Sequence, residues 1–324
     1  MRYENVDSTP TITVIGGINL DISGTADSKI LLGDSNPGEV RTTLGGVGRN
    51  IAECLTRLGA RVTLLTCLGD DSHTPFIRRH CAEAGIDLAD SPVIPGSRTN
   101  TYLCINDVDG DVFAAVADME LCDRITPAFA AERLERLNAS DLVVADANLP
   151  ADTLTWLGEY VRAPIAADPV SVKKAERLRG CLPHLAMLKP NRPEAELLSG
   201  RPIRGVDGLE RAAEALRGEG VGRVFISLGA GGVFFDDGER HGIQPCLPGA
   251  VRNTNGCGDA FLAGSCIAAL RGLPVEEQAL WGQAASSINA ESERGVSPEL
   301  SLPAVQKRID ISRSAQGAPD QKGL

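Results

Sequence analysis

The stretch VRNTNGCGDAFLAGS at 251–265 joins a polar, glycine-rich turn to an apolar run of small residues, and it carries one carboxylate, Asp259. Gly256, Cys257 and Gly258 expose backbone N–H groups at the positive end of the helix that this pattern predicts, which makes an anion site. An anion site beside a proton acceptor suits phosphoryl transfer. With an ordinary Asp pKa near 4, Asp259 would already be ionised at pH 7 and would take the proton late. The alternative is a helix N-cap, whose oxygen only accepts a backbone N–H.

A second glycine-rich turn, LGGVGRNIAE, precedes another predicted helix at 44–53. Gly45 and Gly46 would let the backbone approach a ligand closely, and Asn50 could bond a hydroxyl from the first helical turn. A plain tight turn is the alternative. The GxGxxG spacing of dinucleotide-binding proteins and the GKS or GKT of a P-loop are both absent, which disfavours those two classes.

Two further stretches could serve a nucleotide. In KPNRPEAELL at 189–198, Asn191 and Glu194 lie three residues apart at a helix start. They could hold a hydrated Mg²⁺, which prefers oxygen ligands, or they could simply form a capping box. SLGAGG at 227–232 follows an apolar run and could border an adenine or a phosphate, or be an ordinary turn.

Composition limits the classes of partner. The 324 residues are 43% hydrophobic and carry a formal charge of −11. A net acidic chain without a Lys/Arg stripe argues against nucleic acid, and apolar runs far shorter than about 20 residues argue against a membrane span. Nine cysteines without a CxxC pair, after a polar N-terminus, predict reduced thiols and a cytoplasmic protein.

The elements that must position these residues alternate along the chain. Apolar runs typical of buried strands alternate with helical periodicity, which predicts a parallel sheet covered by helices on both faces. The runs are at 11–17, 60–69, 141–146, 163–169, 184–191 and 222–232, and the clearest helical segments are at 47–59 and 74–85. Ligands bind at the carboxyl ends of such strands, so the polar residues that follow them should meet at one edge.

Two segments break this alternation. Residues 20–44 and 97–118 contain short strand-like runs joined by turns, and VDGD is a hairpin signal. We expect them to form a small sheet, a lid over the main domain, with two long surface loops as the alternative. The main domain would then comprise 11–19, 45–96 and 119–305. We expect residues 311–324 to form a flexible tail.

The motifs together resemble one family, because their order and spacing are specific even though each is weak alone. They are NLD at 19–21, GGVGRN at 45–50, NRPE at 191–194, SLGAGG at 227–232 and TNGCGDAFLAG at 254–264. Along residues 11–305 the chain resembles the PfkB (ribokinase-like) family of small-molecule kinases. The resemblance implies a ribokinase-like three-layer α/β/α fold with a mainly parallel central sheet and a small β-sheet lid.

Within the family the chain most resembles the pseudouridine kinases, through DSNPG at 34–38, VVADANL at 143–149, DPVSVKK at 168–174 and LKPNRPEAELLSG at 188–200. The resemblance implies ATP- and Mg²⁺-dependent phosphorylation of the 5′-hydroxyl of pseudouridine. A ribokinase, another nucleoside or sugar kinase of the family, and an inactive nucleoside-binding protein remain the alternatives.

The resemblance also implies roles for individual residues. Asp259 would be the catalytic base, with an anion hole at Gly256, Cys257 and Gly258. Substrate would be bound by Asn19, Asp21, Gly45, Gly46 and Asn50. Separately from the resemblance, Asp146, Asn148 and Lys174 are polar candidates for binding the base of the substrate. Asn191, Ser227, Gly229 and Gly232 would bind the nucleotide, and Glu194 would serve Mg²⁺. The lid would also join two subunits as a homodimer.

One departure from the family pattern concerns a cation. Asn253 stands where the family usually has an Asp that helps to bind a monovalent cation beside the anion hole. Asn253 keeps an oxygen ligand but loses its charge, which leaves K⁺ activation open.

Overall fold

The computed structural model describes residues 9–316, which form two β-sheets and the helices that cover them. The strands are β1 Thr11–Ile15, β2 Asn19–Ala26, β3 Gly38–Gly45, β4 Arg61–Leu65, β5 Ile86–Asp87, β6 Thr101–Asn106, β7 Val112–Asp118, β8 Leu142–Asp146, β9 Ile165–Asp168, β10 Leu185–Leu188, β11 Val224–Ser227, β12 Val233–Asp236 and β13 His241–Gln244. The α-helices are α1 Val47–Arg57, α2 Thr74–Glu83, α3 Pro127–Ala131, α4 Leu134–Asn138, α5 Ala151–Tyr160, α6 Val172–Ala175, α7 Arg192–Ser199, α8 Gly205–Gly218, α9 Cys257–Leu270, α10 Val275–Ala290 and α11 Leu302–Gln316.

The large sheet has the strand order β13-β12-β11-β10-β9-β8-β1-β4-β5. Pairings from β5 through β11 are parallel, and β12 and β13 add an antiparallel edge. Every residue of β8 is buried, as expected for a strand covered on both faces. Its side chains alternate between two apolar layers: Val144 packs with α1 and α9, and Val143 packs with α5 and α8.

Helix α9 is buried over most of its length, which explains why the residues after Asp259 are apolar. From Asp259 to Ala268 all of its residues are buried. A Cβ atom at Gly264 would lie 2.7 Å from the carbonyl oxygen of Trp281, so the glycine allows α10 to pack closely against α9. Although α9 is apolar on all sides, neither it nor any other helix of residues 9–316 is long and apolar enough to cross a membrane.

The small sheet has the order β3-β2-β6-β7 and is built from the two segments that interrupt the alternation. Two antiparallel hairpins, β2–β3 and β6–β7, are joined by parallel pairing of β2 with β6. The VDGD hairpin prediction is confirmed, because Gly110 N–H donates to the Asp107 carbonyl at 2.8 Å. Successive residues point to opposite faces, so Asn19 and Asp21 share one face while Leu20 and Ile22 lie on the other.

Helix α11 includes 311–316, the first part of the predicted tail, and its residues Ile309 and Ser312 are buried. The rest of the predicted tail, 317–324, lies outside the described residues.

Candidate active site

Asp259 lies in the first turn of α9, but it does not cap the helix. The N-cap is Gly256, in the left-handed conformation at φ 73°, and no side chain makes the capping bond. Instead, Asp259 Oδ2 accepts a hydrogen bond of 2.8 Å from Asn50 Nδ2, on a helix 209 residues away in sequence. The N-cap interpretation of Asp259 is therefore wrong, and its carboxylate links the two glycine-rich turns.

The environment of Asp259 also changes its acidity. Burial and, after it, the nearby charge of Asp168 raise the pKa of Asp259 to about 7, although the Lys189 ammonium and the Asn50 hydrogen bond act to lower it. The expected ordinary value near 4 is thus wrong, because the carboxylate is only 7% exposed. A carboxylate with a pKa close to the operating pH is well matched to accepting a proton in catalysis.

A polar cavity of about 190 Å³ opens between the two sheets, next to Asn50. Six of the eight residues that the sequence suggests for substrate binding line it: Asn19, Asp21, Gly46, Asn50, Asn148 and Lys174. The remaining walls include Tyr102, Met119, Cys122 and Val170. The cavity therefore has a polar part that suits hydroxyl groups and a more apolar part that suits a flat ring.

The other two candidates, Gly45 and Asp146, lie behind this wall. Asp146 is fully buried and accepts hydrogen bonds from the backbone N–H groups of Gly17 at 2.9 Å and Asn148 at 2.8 Å. A side chain at Gly45 would collide with the Asp21 carboxylate. Both residues shape the cavity from behind rather than lining it.

Hydrogen bonds fix the cavity side chains before any ligand is present. Asn19 Nδ2 donates to Asp21 Oδ1 at 2.6 Å, and Lys174 Nζ donates to Asn148 Oδ1 at 2.6 Å. Asn50 Oδ1 is buried and has no hydrogen-bond partner among the described residues. A buried unpaired acceptor is costly, so a ligand hydroxyl at this atom would gain a favourable bond.

The residues suggested for the nucleotide come together at the ends of the neighbouring strands. Asn191 and Glu194 form a capping box: Glu194 N–H donates to Asn191 Oδ1 at 3.0 Å, and Asn191 N–H donates to Glu194 Oε2 at 2.8 Å. An isolated β-bridge places Asn191 beside Ser227. Gly229 and Gly232 both have positive φ, 59° and 89°, in the turn that follows. The capping box is thus present, and it does not exclude a further role of Glu194.

Lys189, and with it an ion pair to Asp168, was missing from the sequence-based prediction. Lys189, at the end of β10, is 7% exposed, and its Nζ lies 2.9 Å from Oδ2 of the buried Asp168, at the end of β9. The lysine Nζ also lies close to Gly258, where an added Cβ would be 2.6 Å from it. The available signal was position, because Lys189 follows a buried strand as the other site residues do.

Comparison with known proteins shows which family this chain belongs to. The model of the pfkB family carbohydrate kinases matches residues 9–301. The chain belongs to this family. It is 33% identical to the pseudouridine kinase of Escherichia coli over 90% of this chain and 94% of that protein. It is 26% identical to the ribokinase of Bacillus subtilis over 86% of this chain and 92% of that protein.

A solved structure confirms the predicted fold class of this pfkB family kinase. The ribokinase of Arabidopsis thaliana in complex with ribose and ATP superposes with a TM-score of 0.82, at 21% identity, over 93% of this chain and 99% of that chain. The ribokinase-like architecture and the small sheet are therefore as predicted. Family membership makes the protein a phosphotransferase with an alcohol group as acceptor, and it implies ATP as the donor.

Proposed function

We propose that the protein is an ATP-dependent kinase that phosphorylates the 5′-hydroxyl of pseudouridine. The hydrogen bond between Asn50 and Asp259 carries the proposal, because it joins the wall of the polar cavity to the carboxylate beside the glycine turn. A hydroxyl held at the cavity end by Asn50 would face a carboxylate whose pKa is raised to about 7.

The proposed reaction is an in-line displacement at the γ-phosphorus of ATP. Asn19, Asp21 and Asn50 hold the ribose so that its 5′-oxygen approaches the phosphorus. The new O–P bond forms as the bond to ADP breaks, its electron pair leaves with ADP, and the hydroxyl proton passes to Asp259. Positioning and charge stabilisation dominate such a transfer. The backbone N–H groups at Gly256–Gly258 meet the charge that spreads over the γ-oxygens.

The donor groups near the nucleotide residues fit a hydrated Mg²⁺. Burial raises the pKa of Glu194, and the neighbouring charge of Asp168 adds to this, so the two carboxylates would both gain from a nearby cation. Among residues 9–316 no cluster of three His, Cys, Asp or Glu groups could hold a metal alone. We propose that Glu194 and Asn191 hold Mg²⁺ through its waters, while ATP supplies its other ligands. When bound, Mg²⁺ neutralises charge on the phosphates.

The oxygens beside the anion hole already take part in hydrogen bonds with amide groups. Asn253 Oδ1 accepts the Asn255 N–H at 2.9 Å, and Asn253 Nδ2 donates to the Glu293 carbonyl at 3.2 Å. Asn289 Nδ2 donates to the carbonyls of Asn255 and Gly295, each at 3.1 Å. Oxygens that would coordinate a cation therefore already accept N–H groups. We propose that these amides replace the cation, and that the enzyme needs no K⁺.

The small sheet is proposed to act both as the lid and as the contact between two subunits. Its strand β2 supplies Asn19 and Asp21 to the cavity, so movement of the sheet would open or close the site. The opposite face exposes Val40, Leu103, Ile105 and Val116, which adjacent strands bring together. An apolar patch of this kind typically marks an interaction site, and a second copy of the same face would cover it.

The choice of pseudouridine rests on the Escherichia coli relative and on the mixed character of the cavity, whose lining includes Tyr102, Met119 and Val170 as well as polar residues. Ribose, another nucleoside or a sugar is the alternative within the family. Nine free cysteines among the described residues agree with the proposed cytoplasmic location.

A substrate panel tests the proposal. Purified enzyme with ATP and Mg²⁺ is given pseudouridine, uridine, ribose and adenosine, and ADP release is measured for each. Pseudouridine has a ring N–H donor that uridine lacks. We expect kcat/KM for pseudouridine to exceed that for uridine by at least about tenfold, since a site that binds this N–H strongly rejects an analogue without it. A higher kcat/KM for ribose or adenosine would mean that this compound, and not pseudouridine, is the substrate. If none of the four is turned over, the proposed nucleoside kinase activity is wrong.

A further inference from the structure

The buried ionisable groups around the glycine turn form what we call the transfer centre: Asp146, Asp168, Lys189, Glu194 and Asp259. Within it, the Lys189 ammonium has a fixed position. The side chain is nine-tenths buried, with a relative exposure of 9%. Its partner Asp168 is itself fixed, because Asp168 Oδ1 accepts the Val170 N–H at 2.7 Å while Oδ2 faces Nζ at 2.9 Å. An ammonium has three N–H donors, so one ion pair leaves donors for another acceptor.

The approach of Lys189 Nζ to Gly258 places the ammonium at the glycine turn. Gly258 lies inside α9 and is not among the glycines with positive φ, so its backbone does not require a glycine. A Cβ atom there would stand 2.6 Å from Lys189 Nζ. The missing side chain therefore leaves room for the ammonium beside the turn whose N–H groups form the anion site.

The ammonium and the start of α9 lie side by side. Lys189 Nζ is 2.9 Å from Asp168 Oδ2 and next to Gly258, the second residue of α9. A buried cation beside exposed backbone N–H groups is the combination that binds a phosphate.

Resting on the proposed kinase function, we propose that Lys189 binds the γ-phosphate of ATP directly, donating from its ammonium to a non-bridging oxygen above Gly258. Asp168 is then a positioning residue that aims the ammonium. The rival explanation is that Lys189 only neutralises Asp168 inside the protein.

Nucleotide binding without turnover separates these explanations. AMP-PNP carries the γ-phosphate and ADP lacks it, so the ratio of their dissociation constants, measured by calorimetry with Mg²⁺, reports contacts to that group. In Lys189→Met we expect AMP-PNP to bind about tenfold more weakly while ADP binding stays the same, as for loss of one charge-assisted hydrogen bond. The matched control is Lys307→Met, an exposed lysine on α11.

A double variant keeps the test decisive if Lys189→Met leaves Asp168 buried and unpaired. Asp168→Asn combined with Lys189→Met removes both charges, so the protein has no orphaned carboxylate. We expect the double variant to fold and still to lose the preference for AMP-PNP. A preference equal to that of the parent, in either variant, would overturn the proposal. That result differs from failure of the kinase function, which would appear as no turnover of any acceptor by the parent enzyme.

Discussion

The transfer centre and the small sheet reverse the usual distribution of polar and apolar side chains, in opposite ways. The centre buries ionisable groups that water normally solvates: Asp146, Asp168, Lys189, Glu194 and Asp259. The small sheet exposes apolar groups that a core normally covers, with Val40 at 71% and Val116 at 67%. Burying charge is costly without partners, and leaving an apolar face in water is costly without a cover. Each region therefore indicates what it lacks: compensating positive charge in one and a covering surface in the other.

The sharpest test of the buried centre removes its base. Asp259→Asn should lower kcat by about 10²–10⁴-fold with little change in KM for the nucleoside, because the amide cannot accept the proton. The raised pKa means that the folded state binds this proton more tightly than the unfolded chain, so stability falls as pH rises from about 4 to 7. The variant should therefore melt a few degrees higher than the parent at pH 8 and show no gain near pH 4.

The control for this variant is Asp109→Asn, an exposed carboxylate in the β6–β7 turn, which should alter neither rate nor melting temperature. Near-parental turnover by Asp259→Asn would contradict the assigned base.

A pH profile tests the same centre without mutation. Because Asp259 must be deprotonated to accept the proton and its pKa is raised to about 7, kcat/KM should fall about tenfold per unit below pH 7 and level off above it. The measurement is initial rate against pH with saturating Mg²⁺ and ATP. A rate that stays flat down to pH 5 would mean that Asp259 keeps an ordinary acidity in solution.

For the small sheet, the matching test places a charge on its outer face. Val116→Asp should convert a dimer into monomers in sedimentation equilibrium, because a carboxylate within an apolar interface loses its hydration. Val206→Asp, at an exposed valine on α8, is the control and should leave the assembly unchanged. If the parent protein is already monomeric, the proposed dimer is wrong.

A smaller effect is expected from shortening the β2–β3 loop. Replacing residues 29–36 with Gly-Gly should raise idle ATP hydrolysis relative to transfer by about threefold to tenfold, since an incompletely closed site admits water. Glu239→Gly, in the exposed β12–β13 turn, controls for a nonspecific loop change. An unchanged ratio would show that the loop does not close the site.

The smallest effect concerns monovalent cations. Exchanging K⁺ for tetramethylammonium should change kcat by less than about twofold, because the carbonyls near Asn253 already accept amide N–H groups. Asn253→Asp restores a carboxylate there and should introduce a response to K⁺. A strong K⁺ requirement in the parent would show that the amides move aside for the ion.

The sequence predicted the fold and much of the convergence at the site, because both follow from repeated local patterns. Alternating strands and helices place their polar ends at one edge, so Asn19, Asn50 and Asp259 could be expected to meet. The antiparallel edge β12–β13 was not predicted, because the last strand assigned from the sequence ended at residue 232.

The Lys189–Asp168 pair and the acidity of Asp259 could not be obtained in the same way. Both depend on which strands are neighbours: β9 lies beside β10, which brings two charges 21 residues apart into contact. A pKa is set by the summed burial and charges around a group. Sequence spacing carries neither quantity, so the sequence could supply candidate residues but not their electrostatic coupling.

The central position of β1 has a consequence for how the chain is made. β1 pairs with β4 on one side and with β8 on the other. On the ribosome, β4 is translated soon after β1. β8 begins about 80 residues after the end of β4, which is a delay of roughly 4–16 s at ordinary elongation rates. During that interval the nascent chain carries an unpaired strand edge, which is a template for aggregation. Chains truncated before Leu142 should therefore depend on chaperones far more than the finished protein does.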